Sequence, residues 1–209
     1  VPTIVSMLIT SVYNMADTFF VSQLGTSAGG AVGIVFPIMT IIQTLGFTIA
    51  MGCASIVSRA LGEKNDELAS TYTSTAFFSS LFVGILVAAI GLAFMNPLMK
   101  LLGATPTILP YARDYAQYIF IGAPFMSCSY VMNNALRAEG KATFSMVGLS
   151  AGGVLNIILD PIFIFTLGLG TGGAAIATII SQFISFLILL YFYVRKKSLV
   201  IISIKKISR

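Results

Sequence analysis

The sequence predicts an all-α membrane protein, and three features point to that class. Of the 209 residues, 57% are hydrophobic and only 9% are charged. A soluble domain carries about 25% charged residues, so this chain has too few charges to cover a solvated surface. Apolar runs of about 20 residues, the length that crosses a hydrocarbon core, recur along the chain. We therefore expect a polytopic membrane protein.

Six apolar segments are long enough to be transmembrane helices. They cover roughly residues 1–21, 31–56, 71–94, 115–136, 144–167 and 174–194. The sequence thus predicts a six-transmembrane-helix bundle. A short, glycine-rich turn at residues 168–173 joins the last two spans, so these two helices should be neighbours. Residues 96–110, which include three prolines, should form the longest connection.

Basic residues are distributed unevenly between the two ends of this bundle. Of the 12 Lys and Arg residues, only Lys100 and Arg113 fall outside the loops after spans two and four and the C-terminal tail. Cytoplasmic loops carry an excess of Lys and Arg. We therefore expect a multi-pass cell-membrane protein with both ends of the chain in the cytoplasm and a basic cytoplasmic segment at residues 195–209.

Asp17 and Asp160 are the only acidic residues that lie well inside the predicted spans. Counted from the outer ends of their spans, Asp17, Asp160 and Thr178 each lie roughly six residues inside, a depth of about 9 Å. Asn156 precedes Asp160 by four residues and therefore shares its helix face. A polar seam between helices needs only Ser, Thr or Asn, whereas a carboxylate within a membrane marks an ion or proton pathway. We therefore expect these four residues to form one cation or proton site.

Two carboxylates in one dry pocket cannot both be ionised cheaply. Such a pair can exchange a proton, or it can bind sodium when ionised, because hard cations prefer oxygen ligands. We expect the two carboxylates to lie roughly 4–8 Å apart, the range over which charges influence each other. The sequence does not choose between proton and sodium, and it predicts no other cofactor.

Further polar residues within the spans are candidates for the lining of a cavity. They are Tyr13, Asn14, Asn133 and Gln182. Each of them could instead hold neighbouring helices together through hydrogen bonds.

Four prolines interrupt the hydrogen-bond ladder of the spans and are candidate hinges. They are Pro2, Pro37, Pro124 and Pro161. Pro161 also removes the helical hydrogen-bond partner of the Ile157 carbonyl, next to Asp160. The sequence does not decide between a static kink and a hinge.

Several activities are not expected. The chain has no histidine, which excludes a nucleophilic serine with a histidine base, although a Ser–Lys pair stays open. It has no Walker A pattern for the direct use of ATP. Cys53 and Cys128 both lie in apolar runs, so a zinc site or a disulfide framework is not expected. The net charge of +5 is small and scattered, so we expect no nucleic-acid partner.

Four stretches resemble the multidrug and toxic compound extrusion (MATE) family of transporters. They are residues 14–21 with Leu24-Gly25, residues 52–62, residues 136–141 and residues 156–165. The resemblance implies the amino-terminal lobe of a twelve-helix, two-lobed transporter, with a second six-helix lobe as its partner. It also implies that Asp17, Asn156, Asp160 and Thr178 form the cation site of this lobe and that Pro2 bends the first helix.

On this resemblance we expect a cation-coupled antiporter, driven by protons or sodium, that exports organic and often cationic drugs and toxic compounds, and not an enzyme. A lipid-linked oligosaccharide flippase of the same superfamily is an alternative, for which a more basic central cavity would be expected. A non-transporting membrane scaffold is a further alternative, but a scaffold needs no pair of buried acids at one depth.

Overall fold

The computed structural model describes residues 2–195 and 197–203, with side chains from Ile4 onward. Within these ranges the chain is helical and contains no strand. The helices are α1 (Pro2–Ser22), α2 (Thr26–Gly62), α3 (Asp66–Ala93), α4 (Met95–Leu101), α5 (Leu109–Ala138), α6 (Ala142–Pro161) and α7 (Gly170–Val194), with a π-helical segment at Ile162–Thr166 after α6.

Five helices of the described ranges are long and apolar enough to cross a membrane: α1, α2, α3, α7, and α6 together with its π-helical segment. The predicted fourth span lies within α5, which is 30 residues long but less apolar than the others. The reason is its position, because α5 packs against α2, α3, α6 and α7 at the centre of the bundle. A helix surrounded by protein need not present an apolar face to lipid on every side.

The core of the bundle is organised along α5. One cluster of buried apolar residues includes Tyr115 and Phe120, near the start of this helix. A second cluster includes Val131, Met132 and Leu136, near its end. The connection before α5 is not all loop, because its first part forms the short helix α4.

The last two spans are neighbours, as the short turn between them predicts, because α6 packs against α7. No short loop joins α1 to α6, yet α1 also packs against α6. Gly153 permits this approach: a Cβ atom added there would lie 2.7 Å from Cγ2 of Ile9. The pairing of α1 with α6 and of α6 with α7 carries Asp17, Asp160 and Thr178 to one part of the bundle.

The chain after α7 folds back over the end of the bundle where α5 ends and α3 begins. The backbone N–H of Leu199 donates to Oε2 of Glu139 at 2.8 Å. The backbone N–H of Ile201 donates to the Ser70 hydroxyl at 3.1 Å. The predicted basic segment lies in this region, although Lys196 and residues 204–209 are outside the described residues.

Candidate cation site

The four residues expected to form a site are all buried and come from three helices. The exposed fraction is 9% for Asp17, 2% for Asn156, 0% for Asp160 and 4% for Thr178. The Asn156 amide joins two of the others: its Nδ2 donates to Oδ1 of Asp160 and to Oγ1 of Thr178, each at 3.3 Å. Asp17 and Asp160 lie on α1 and α6, which pack against each other. The separation of the two carboxylates in ångströms stays a prediction.

Tyr115 is a member of this cluster that sequence reasoning missed. Its hydroxyl donates to Oδ2 of Asp17 at 3.3 Å and also contacts the sulfur of Met39 at 3.7 Å. The predicted fourth span began at Tyr115, whereas α5 begins at Leu109. Tyr115 therefore lies between one and two turns inside its helix, at the depth predicted for Asp17. Pro110 was the sequence signal for this earlier helix start, because proline is favoured in the first turn of a helix.

Three oxygen atoms of the cluster have no hydrogen-bond partner among the described residues: Oδ1 of Asp17, Oδ1 of Asn156 and Oδ2 of Asp160. A buried polar atom without a partner costs about 1–3 kcal/mol, and more if it carries charge. A proton on one carboxylate would supply a donor to the cluster. A sodium ion would accept these carboxylate and amide oxygens as ligands, because hard cations prefer oxygen. These three oxygen atoms are therefore suitable for binding either a proton or a sodium ion.

A cavity of about 70 Å³ adjoins the cluster. It is bounded by α1, α5, α6 and α7, and its lining includes Tyr13 and Gln182 as well as Asn156 and Thr178. A water molecule occupies about 30 Å³ in the liquid, whereas sites for drug-sized molecules measure about 300–1,000 Å³. The cavity therefore has the size for an ion with a few waters and not for an organic substrate.

Two of the candidate lining residues lie elsewhere. Asn14 is on the exposed face of α1, where it borders a shallow groove with Met15 and Thr18. Asn133 is buried away from the cavity, and its Nδ2 donates to the backbone carbonyl of Ser145 at 3.2 Å. Asn133 thus holds α5 to α6, which is the structural role that the sequence left open.

The candidate hinges differ in their surroundings. Pro37 and Pro124 lie within the unbroken helices α2 and α5. Pro161 lies where α6 gives way to the π-helical segment, and such segments are frequent at functional sites. Pro2 is the first described residue of α1, and the structure describes its backbone only. A single structure does not report motion, so the four hinges stay predictions.

A bundle of membrane-spanning helices that buries two carboxylates is the form of a polytopic membrane transport protein. The chain belongs to the MATE family, because the family model MatE matches residues 2–162. This match confirms the resemblance of the sequence motifs, and the fold is that of one lobe of a MATE transporter.

Two curated relatives and one solved structure illustrate the similarity. The FAD transporter of Shewanella oneidensis is 33% identical over 188 residues, which are 88% of this chain and 42% of that protein. The multidrug export protein MepA of Staphylococcus haemolyticus is 32% identical over 206 residues, which are 98% of this chain and 45% of that protein. A crystal structure of MATE in complex with MaL6 has a TM-score of 0.95 at 33% identity, covering 100% of this chain and 46% of that one. The chain therefore spans about half the length of the relatives it matches.

Proposed function

We propose that this chain is the ion-coupling lobe of a cation-driven antiporter that exports organic, often cationic, compounds across the cell membrane. The observation that carries the proposal is the buried cluster of Asp17, Asp160 and Asn156, in which three oxygens have no hydrogen-bond partner within the described part of the chain. Proton or sodium binding at these oxygens relieves the cost of burying them. An ion that binds one facing of the transporter more tightly than the other drives the change between the two facings.

The organic substrate binds outside this lobe's interior, because the cavity beside the cluster measures about 70 Å³ and is too small for it. A second six-helix lobe packs against this one, and the substrate site lies between the two. The chain's coverage of 46% of a matched MATE structure supports a second lobe of similar length.

The relatives suggest two candidate classes of substrate. The multidrug export proteins among the relatives support organic drugs as the substrates, and the FAD transporter supports a flavin nucleotide. The substrate does not enter this lobe's interior, so the cation cluster does not decide between these two classes. No observation here favours a lipid-linked oligosaccharide flippase or a scaffold. We propose no catalytic activity.

The test replaces one carboxylate at a time in the two-lobed protein. Asp17→Asn and Asp160→Asn should each abolish efflux of ethidium from cells, because an amide neither exchanges a proton nor balances the charge of sodium. Asp114→Asn is the matched control, since Asp114 is an exposed carboxylate near the start of α5, and it should export normally. FAD efflux measured in parallel distinguishes the two substrate classes.

Efflux at the level of the unmodified protein by either site variant, at equal amounts of protein in the membrane, would remove that carboxylate from the coupling mechanism. Loss of efflux in the Asp114 control as well would mean that the assay responds to charge in general and not to this site.

A further inference from the structure

Two separate spaces meet at one side chain of α5. The partly enclosed cavity beside the cation cluster is bounded by Tyr130. An open groove of about 290 Å³ on the surface of α2 is also bounded by Tyr130, together with Gln43, Thr44, Phe47 and Thr48. Tyr130 is half-buried, as a residue between an interior and a surface should be.

The cavity beside the cation cluster is lined by polar atoms that could hold water. The hydroxyls of Ser129 and Ser181 line it, are 5% and 2% exposed, and have no hydrogen-bond partner among the described residues. The amide oxygen of Asn156, also on the lining, is likewise without a partner. Unpaired polar atoms around a space large enough for water are the conditions under which buried water is held. Water held in this cavity would connect the cation cluster to the side of Tyr130 that lines it.

The groove on α2 is different. Thr44, Phe47 and Thr48 are exposed along one face of the helix, so the groove opens to the surroundings of this lobe. No side chain other than Tyr130 is shared between the lining of the groove and the lining of the cavity.

Tyr130 packs closely against α2. Its ring meets the ring of Phe47 edge to face, with centroids 6.2 Å apart. Gly46 lets α2 approach, because a Cβ atom there would lie 3.2 Å from Cδ2 of Tyr130. Tyr13 of α1 lines the cavity together with Tyr130.

We propose that Tyr130 is the partition between the hydrated ion cavity and the open groove on α2. This role rests on the proposed function, in which the cavity serves the coupling ion. The ring blocks water and ions from passing directly between cluster and groove, so the ion moves only with the change of facing that also moves the substrate. Tyr130 is therefore a positioning residue for coupling and makes no bond to the ion. Its aromatic ring, and not its hydroxyl, supplies the barrier.

The first test measures access to the cavity. Ser181→Cys places a thiol on the lining, and a cationic, membrane-impermeant methanethiosulfonate reagent reports access to it by intact-protein mass spectrometry. Cys53 and Cys128 are buried, and the protein without the added cysteine gives their background. Tyr130→Ala should raise the labelling rate of the added thiol at least about tenfold, the change expected when a barrier of about 1.4 kcal/mol is removed.

Three further variants distinguish loss of the Tyr130 barrier from a general loosening of the helix packing. Tyr130→Phe keeps the ring and should label as slowly as the parent. Tyr118→Ala removes a tyrosine from the same helix that borders neither space, and it should also label slowly. Phe47→Ala removes an exposed ring that supports Tyr130 and should give a smaller increase. This variant keeps the proposal testable if Tyr130→Ala fails to fold.

The second test measures coupling in proteoliposomes of the two-lobed protein. Tyr130→Ala should conduct the coupling cation in the absence of substrate, and Tyr130→Phe should not. Equal labelling rates in the parent, in Tyr130→Ala and in Phe47→Ala would overturn the proposal, as would fast labelling of the parent itself. Normal efflux by both Asp17→Asn and Asp160→Asn would instead refute the proposed function while leaving the labelling result intact, so the two failures are distinguishable.

Discussion

The hydroxyl of Tyr115 is the one donor that the structure places on Asp17 at the cluster. Oδ1 of Asp17 has no hydrogen-bond partner among the described residues, so losing this bond would leave neither carboxylate oxygen with a partner among them. A hydrogen bond to a charged group contributes about 1.5–3 kcal/mol. The orientation of Asp17 therefore depends on a residue from a different helix.

We expect Tyr115→Phe to lower efflux by roughly tenfold, because the change removes that bond and keeps the volume of the ring in the core. Transport per molecule of membrane-inserted protein is the measurement. Tyr111→Phe is the control, since Tyr111 is an exposed tyrosine one turn earlier on α5. Unchanged efflux in the Tyr115 variant would show that Asp17 works without this donor.

At the scale of residues, local spacing predicted some of the cluster and missed the rest for identifiable reasons. Asn156 and Asp160 share a face because they are one helical turn apart, and no tertiary information was needed. Tyr13 and Asn14 lie about 40° and 60° from Asp17 around the helix, on opposite sides of it. Spacing alone could not tell which side would face the cavity, and only Tyr13 lines it.

At the scale of elements, the close approach of α1 to α6 decides whether two distant acids share a site. Gly153 makes this approach possible, because even one methyl group there would overlap Ile9. Helices in membranes use small residues in this way to bring their backbones together. The site therefore depends on a residue that carries no functional group.

We expect Gly153→Ala to destabilise the protein by about 1–3 kcal/mol, the usual cost of overpacking, and to reduce efflux. Gly52→Ala on α2 is the matched control, because a Cβ atom there meets nothing within 4 Å. The melting temperature of each purified variant is the measurement, with a fall of several degrees for Gly153→Ala alone. Equal melting temperatures for the two variants would contradict the tight contact.

All six spans were predicted from the sequence, but α5, which contains the fourth, is the least apolar of the long helices and is not among the five that are apolar enough to cross a membrane by composition. Apolar composition reports contact with lipid, and α5 lies among its neighbours instead. Its polar residues, such as Asn133 and Asn134, are buried in protein. The presence of the helices could therefore be predicted from the sequence. The central position of α5 could not, because it depends on how the helices pack together.

At the scale of the whole molecule, basic residues gather at one end. Lys64 lies between α2 and α3, and Lys141 lies between α5 and α6. The Lys141 ammonium group hydrogen-bonds to the Lys197 carbonyl and lies 3.6 Å from the carboxylate of Glu139. The segment that contains Lys197 also contacts the start of α3 through Ser70. These loops therefore form one end of the bundle, whichever side of the membrane it faces.

We expect this basic end to face the cytoplasm, because Lys and Arg are enriched in cytoplasmic loops. Single cysteines at Lys64 and Lys197 should react only with a membrane-permeant maleimide in intact cells. Cysteines at Lys100 and Leu169, which are exposed at the opposite end, should react with an impermeant one. Reaction of position 197 with the impermeant reagent in intact cells would invert the topology, and the cation cluster would then lie nearer the cytoplasm than the outer face.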